Sequence, residues 1–317
     1  MLWAARKILK LLFILVAVTA ITFAMVNLLP GDVAYVIGGE NATAEDIAAL
    51  RENLGLDGNV MQRYVTWLGN LLRGDFGESF LTREPVLSTI AAHLPVTIEL
   101  ILISQLIALI LALPAGIYSA YRNQTLVDRW ISGFGFAFLS LPSFVMGLLL
   151  IFVFALRLQW LPATGYIPLS EGLGPNLKAF ILPSLSIALI EWVPLMRVLR
   201  SDMIITLQED FIRVARAKGM PTWRILFRDA LKPSSLNLIT VVGLQIGHWI
   251  GAAVIIEMIY AMPGVGRLLV DAVFSRDFFI VQGCVVVITV AYVIINGVVD
   301  GLYGLLDPRL RRENHHA

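Results

Sequence analysis

Glu191, His248 and Glu257 are ionisable residues set in stretches that are otherwise almost wholly apolar. A charge at bilayer depth is costly, so such residues are candidates for contact with a solute, an ion or another polar helix. Gln245 stands three positions before His248, and Gly243, Gly247 and Gly251 recur every fourth residue. On a helix that spacing leaves one flat face that a second helix can approach closely, beside a polar side carrying Gln245 and His248. The pattern suits a helix lining a path between two subunits; tight packing within one subunit is the alternative. Glu257 has a ready partner in Arg267, across a Pro-Gly turn, and the two read as a structural pair at the outer face.

Chemistry of other kinds finds little support. An intramembrane enzyme needs a nucleophile with a base, or a metal cluster, in one layer. His248 has no evident Ser or Cys partner, and the four histidines, two of them adjacent at His315 and His316, lack the ligand spacing of a metal site. The single cysteine, Cys284, lies in an apolar run and reads as a small hydrophobe. No Gly-Lys dipeptide occurs, so the phosphate-cradling loop of nucleotide-driven proteins is absent, and any nucleotide energy must come from another chain. Net charge is +1, which gives nucleic acid no electrostatic hold.

The elements that position these residues are membrane spans. Of 317 residues 58% are apolar and only 15% charged, far from a soluble domain, and mean hydropathy is +0.79. A helix rising about 1.5 Å per residue needs about 20 residues to cross a ~30 Å hydrocarbon core. Stretches at 11–29, 100–121, 130–156, 179–196, 233–256 and 278–299 meet that length or come close, so the chain reads as an all-α polytopic membrane protein with six transmembrane helices. The first run is too long for a cleaved signal and reads as an anchor. Two thirds of the 24 Lys and Arg fall in the segments that are inside if the N-terminus is inside, which puts both termini in the cytoplasm. Pro114, Pro142, Pro183 and Pro194 are expected to kink spans.

Two connections are more than loops. Between Pro30 and Leu94 the outer segment reads as two helices, the first capped by Thr43 and ended by Gly55, the second capped by Asp57 with apolar Val60, Tyr64, Val65, Leu68, Leu71 and Leu72. It is either a lid packed on the outer face or a docking surface for an external partner. Between the fourth and fifth spans, Asp210 can cap a short helix through Lys218 that Gly219 ends, and Pro221 suits the first turn of a second. Ala215 and Ala217 alternate there with Arg213, Arg216 and Lys218. Small residues with a basic rim would let this helix enter a cleft on another protein.

The segment Phe211-Ile-Arg-Val-Ala-Arg-Ala-Lys-Gly219 resembles the coupling-helix motif of ATP-binding-cassette importer permeases, in the form used by the dipeptide, oligopeptide and nickel branch. Leu29-Pro-Gly-Asp32, Leu54-Gly-Leu-Asp57, Gly74-Asp-Phe-Gly-Glu-Ser-Phe80, Ala261-Met-Pro-Gly-Val-Gly-Arg267, Arg276-Asp277 and Asp307-Pro-Arg309 agree with that branch, in order, from residue 29 to 309. One departure is that Pro233 and Asn237 stand where relatives usually carry Asn and Pro.

The resemblance implies the type I importer permease fold. Residues 1–93 would form the first span and a helical periplasmic insertion, 94–306 a five-helix core with coupling helices at about 210–233, and 307–317 a cytoplasmic tail. It implies a bacterial inner-membrane subunit that does no covalent chemistry and holds no cofactor, with ATP and Mg on partner subunits. Its partners would be a second permease (usually a paralogue), two nucleotide-binding subunits and a periplasmic or lipid-anchored solute-binding protein. Arg213, Ala215, Arg216, Ala217, Lys218 and Gly219 would couple to the ATPase. Glu191, Gly243, Gln245, Gly247, His248 and Gly251 are the pathway or interface candidates. The branch imports short peptides, glutathione-like molecules, opines and nickel or its chelates; peptide is the expected substrate and nickel the alternative. A secondary transporter or channel using Glu191, His248 and Glu257 as a relay is a remoter reading, since no internal repeat accompanies it.

Overall fold

The computed structural model describes residues 9, 13–24, 42–53 and 59–306. The helices are α1 (Phe13–Ala24), α2 (Ala44–Asn53), α3 (Val60–Leu72), α4 (Val86–Tyr121), α5 (Leu126–Leu139), α6 (Ser143–Arg157), α7 (Leu173–Thr206), α8 (Asp210–Ala217), α9 (Thr222–Gly247), α10 (Trp249–Ile259), α11 (Val265–Ser275) and α12 (Phe278–Leu306). No strand occurs among the described residues.

Among the described residues three unbroken helices are long and apolar enough to cross a membrane: α4, α7 and α12 over Phe278–Val299. They carry the second, fourth and sixth expected spans. The third expected span is α5 and α6 bent by 97° at Pro142, and the fifth is α9 and α10 bent by 52°. Counting each bent pair as one gives up to five spans. The first expected span begins as α1, and the remainder of 11–29 lies outside the described residues. Pro142 breaks the axis as expected, because it cannot extend the hydrogen-bond ladder. Pro114, Pro183 and Pro194 sit inside unbroken helices.

The chain forms two compact units, Met1–Pro95 with Arg267–Val293, and Val96–Gly266 with Ile294–Ala317. In the first, α3 lies on α1. Tyr64 and Thr19 hydroxyls are 3.0 Å apart, and Phe23 packs with Tyr64 and Trp67 at centroid distances of 5.5 and 5.7 Å. Helix α2 opens with a reciprocal cap: Asp46 N–H donates to Thr43 Oγ1, while Thr43 N–H and Oγ1 donate to Asp46 Oδ2. Those bonds favour the ionised form and hold the Asp46 carboxyl below its ordinary range. The second outer helix is capped by Asn59, whose Oδ1 accepts from Met61 N–H at 2.9 Å. Gly55 and Asp57, the expected stop and cap, lie outside the described residues. The motifs around Gly77 and Asp277 meet here as well. Ser79 Oγ donates to Asp277, Phe80 packs against Phe279 with the rings tilted by 55° and their centroids 4.7 Å apart, and a Cβ on Gly77 would sit 3.1 Å from Phe279.

In the second unit α7 is the central helix, buried along most of its length by α5, α6, α9 and α10. Phe180, Leu182, Ile187, Leu195, Met196 and Leu199 form its core face. The expected boundary at 93/94 lies beside the 95/96 division of the units, and Arg267–Val293 groups with the N-terminal part.

Candidate functional site

Helix α8 and the turn after it are built as their residues dictate. Gly219 has φ +72°, a left-handed conformation that glycine adopts without a Cβ penalty, and it ends the helix. Met220 N–H then bonds back to Ala215 O at 3.2 Å. Two expectations shift by a residue. Glu209, not Asp210, is the N-cap, and Asp210 instead pairs with Arg213 at 3.1 Å. Pro221 is likewise the cap of α9, which begins at Thr222. The next turn, Ile225–Ala230, is π-wound.

The two alanines of this helix do not share a face. Ala215 is buried with Ile212 against the core of the unit, whereas Ala217 and Lys218 are exposed. Arg213 and Arg216 are exposed too, and Phe211 and Val214 are 50% and 51% exposed. The outward face is therefore apolar with a basic rim, which is the composition of a surface that enters a cleft on another protein. Sequence spacing located the helix, but its facing was decided by the pull of Ile212 into the core.

Behind α8, α7 is tied to the 122–128 turn by charge. Arg200 Nε and Nη2 donate to Asp128 Oδ1 and Oδ2, each at 2.7 Å, in the bidentate geometry that makes such pairs strong. Arg200 Nη2 also reaches Asn123 Oδ1 at 3.0 Å, Ser119 Oγ donates to Asp128, and Gln124 N–H donates to Asp128 Oδ2 at 2.9 Å. The Asp128 side chain is 6% exposed and that of Arg200 27%. The sequence reading counted Arg200 only toward loop charge and passed over Asp128. The available signal was a lone carboxylate beside Arg122 and Arg129 at a span end.

Within the span region, two singled-out residues meet. Gln245 Nε2 donates to Glu191 Oε2 at 3.1 Å, linking α9 to α7. Gln245 Oε1 is buried and has no partner among the described residues, and the same holds for the indole nitrogens of Trp192 and Trp249. Polar capacity is thus concentrated where α7 and α9 pass each other. The side chain of His248, at the bend between α9 and α10, lies outside the described residues.

The glycine stripe divides. A Cβ on Gly243 would overlap the Val299 side chain, so this glycine serves packing of α9 on α12 within the unit. Gly247 is buried, while Gly251 is exposed and a Cβ there would meet nothing within 4 Å. Only the Gly251 end leaves a face open to another chain.

At the far end of α10, Glu257 is fully buried. Thr97 Oγ1 donates to Glu257 Oε1 at 2.6 Å and accepts from Val265 N–H at 2.9 Å. A Cβ on Gly264 would overlap the Glu257 carboxyl, and one on Gly266 would sit 2.6 Å from Val254 Cα. The Met-Pro-Gly-Val-Gly turn thus wraps the carboxylate. Arg267, its expected partner, lies 3.5 Å from Asp271. Thr97 carried no sequence signal, being one hydroxyl in an apolar helix and far from Glu257 along the chain. Among the described residues no group of three or more His, Cys, Asp or Glu could hold a metal ion.

Known proteins resemble this chain along nearly its whole length. A probable peptide ABC transporter permease of Sinorhizobium fredii is 36% identical over 306 residues, covering 96% of this chain and 98% of that protein. An oligopeptide transport system permease of Bacillus subtilis is 35% identical, covering 96% and 98%. A di/tripeptide transport system permease of Pseudomonas aeruginosa is 34% identical, covering 98% of each. Residues 112–312 match the family described as the binding-protein-dependent transport system inner membrane component, and residues 1–101 match its N-terminal family. The protein is therefore an integral inner-membrane permease of the binding-protein-dependent transport family, a transport component and not an enzyme.

Proposed function

We propose that this permease forms half of the membrane pathway of an ATP-driven importer of short peptides. The carrying observation is that relatives matched end to end are named as peptide, oligopeptide and di/tripeptide permeases. A second permease would complete the pathway, two nucleotide-binding subunits would hold ATP and Mg on the cytoplasmic side, and a solute-binding protein would deliver substrate from outside. Both termini would be cytoplasmic, as the Lys and Arg distribution favours.

In this reading the outward face of α8, with Arg213, Ala217, Lys218 and the Gly219 turn, seats on the ATPase, Arg216 flanks that seat on the side of the 122–125 turn, and Ala215 anchors the helix from behind. Closure of the ATPase pair moves α8, and the core helices rock with it. Glu191 and Gln245 face a passing solute in turn, while Gly251 meets the second permease. Glu257 and Arg267 stabilise the outer turn.

The test is uptake into proteoliposomes holding this chain with its permease, ATPase and binding-protein partners, offered a dipeptide and nickel separately. Dipeptide accumulation that needs every partner and ATP is the expected result. Nickel accumulation would keep the architecture and replace the substrate. Uptake that persists without the ATPase subunits would sink the proposal.

A further inference from the structure

A cavity of about 660 Å³ opens beside α8, between the turn that follows α4, the end of α7 and the start of α9. Its volume is in the range of sites that hold small ligands. Arg122 and Arg216 line it from opposite segments, with the polar side chains of Asn123, Thr125, Gln208 and Thr222, and no carboxylate is among the lining residues. The nearby acid is already committed, because both oxygens of Asp128 accept from Arg200. The same arginine holds Asn123 in the cavity wall. Arg122 packs over the Tyr121 ring at 5.5 Å, a stacking that leaves the donor edges of a guanidinium open. Two guanidiniums with the Asn123 and Gln208 amides and the Thr222 hydroxyl, and no acid among the lining residues, form a site for a phosphate-bearing anion.

The surroundings say which anion. Trp223 is 66% exposed next to the lining residue Thr222, and Tyr121 is 42% exposed on the opposite wall. Exposed Trp and Tyr mark the level of lipid headgroups. Ile205 and Phe227, neighbours of lining residues, are also exposed and give acyl chains an apolar surface. We propose that this cavity binds the phosphodiester headgroup of an anionic membrane lipid, bridging Arg122 on the turn after α4 to Arg216 on α8. The proposal concerns lipid binding and stands apart from the substrate reading.

The experiment is native mass spectrometry of the full chain in its purified complex, titrated with phosphatidylglycerol and, separately, phosphatidylcholine. The expected result is preferential retention of phosphatidylglycerol, weakened about fivefold by Arg122→Gln or Arg216→Gln, as for loss of one basic contact at a lipid surface. Arg122→Lys should keep most of the affinity. Arg129→Gln, which removes an equal charge from the neighbouring helix outside the cavity, should bind like the parent. Equal losses in Arg122→Gln and Arg129→Gln, or no preference over phosphatidylcholine, would overturn the site. Displacement by equimolar inorganic phosphate would assign it to free phosphate and overturn the lipid source. A photoactivatable phosphatidylglycerol on the unaltered chain guards against misfolded variants. It must label segments near 121–125 and 216–222, and labelling confined elsewhere overturns the proposal.

Discussion

At the α8 end of the second unit a carboxylate meets a guanidinium, Asp128 with Arg200, ringed by Ser119, Asn123 and Gln124. At the opposite end Glu257 is enclosed by a threonine hydroxyl and a glycine turn that leaves no room for a methyl group. Both devices tie together segments distant in the chain. The first does so with a bidentate ion pair whose arginine is partly exposed. The second uses steric closure in a fully buried setting. That contrast fits a molecule whose α8 end shifts with a partner and whose other end stays closed.

The largest effect should follow from opening the first device from one side. Arg200→Ala leaves Asp128 buried without its cation, and removing one partner of a buried pair costs about 3–5 kcal/mol. Thermal unfolding of the purified protein should show it, and the double variant Arg200→Met with Asp128→Leu should recover much of the loss. A double variant no better than the single would mean that the pair does not act as a unit. Gly264→Ala comes next. It forces a methyl into the Glu257 carboxyl, an overpacking that costs about 1–3 kcal/mol. If Gly264→Ala unfolds like the parent, the closed-end description fails.

Gly219→Leu is expected to change stability less, since nothing lies within 4 Å of its Cβ position, although φ +72° is strained for any side chain. It should abolish ATP-dependent uptake while the protein still reaches the membrane. Uptake at the parent rate would remove α8 from the coupling role. Gly251→Ala, by contrast, should leave the isolated chain as stable as the parent or up to about 1 kcal/mol more stable, alanine being the better helix former, and show its damage only in co-purification of the second permease. The smallest effect belongs to Asp46. Its carboxyl titrates below the ordinary range in the folded chain, so the cap is complete above that range and is lost as pH falls through the lowered value. Local exchange of α2 amides should rise in acid for the parent, and Asp46→Asn should flatten that response.

Much of this was legible from residue order. Long apolar runs located the membrane helices, and Thr43, Gly219 and Pro221 marked helix ends because capping is a local matter of one turn. Facing was not legible. Gly243, Gly247 and Gly251 look equivalent in sequence, yet Val299 occupies the space before the first and nothing occupies that before the third. Ala215 and Ala217 parted for the same reason, since the burial of Ile212 sets the rotation of α8. Glu191 and Gln245 were both singled out as polar groups in apolar runs, but that they meet depends on how α7 and α9 cross. Thr97 and Arg200 were missed because each acts through a partner remote in the chain, which no local pattern encodes, and Asp128 offered only the weak signal of a lone carboxylate at a span end.

The length of α7 has a mechanical consequence. Its 34 residues extend about 51 Å, well beyond a ~30 Å hydrocarbon core. Arg200, clamped to Asp128, divides the rod into a short arm of about 9 Å down to Thr206 and a longer arm of about 40 Å up to Leu173, with Glu191 about 14 Å from the clamp. A rigid rod pivoting at Arg200 would carry a sideways push at Thr206 to Glu191 reversed in direction and about one and a half times as large. Pro194 and Pro183, which supply no N–H to the ladder, are the places in that longer arm where the rod is least braced.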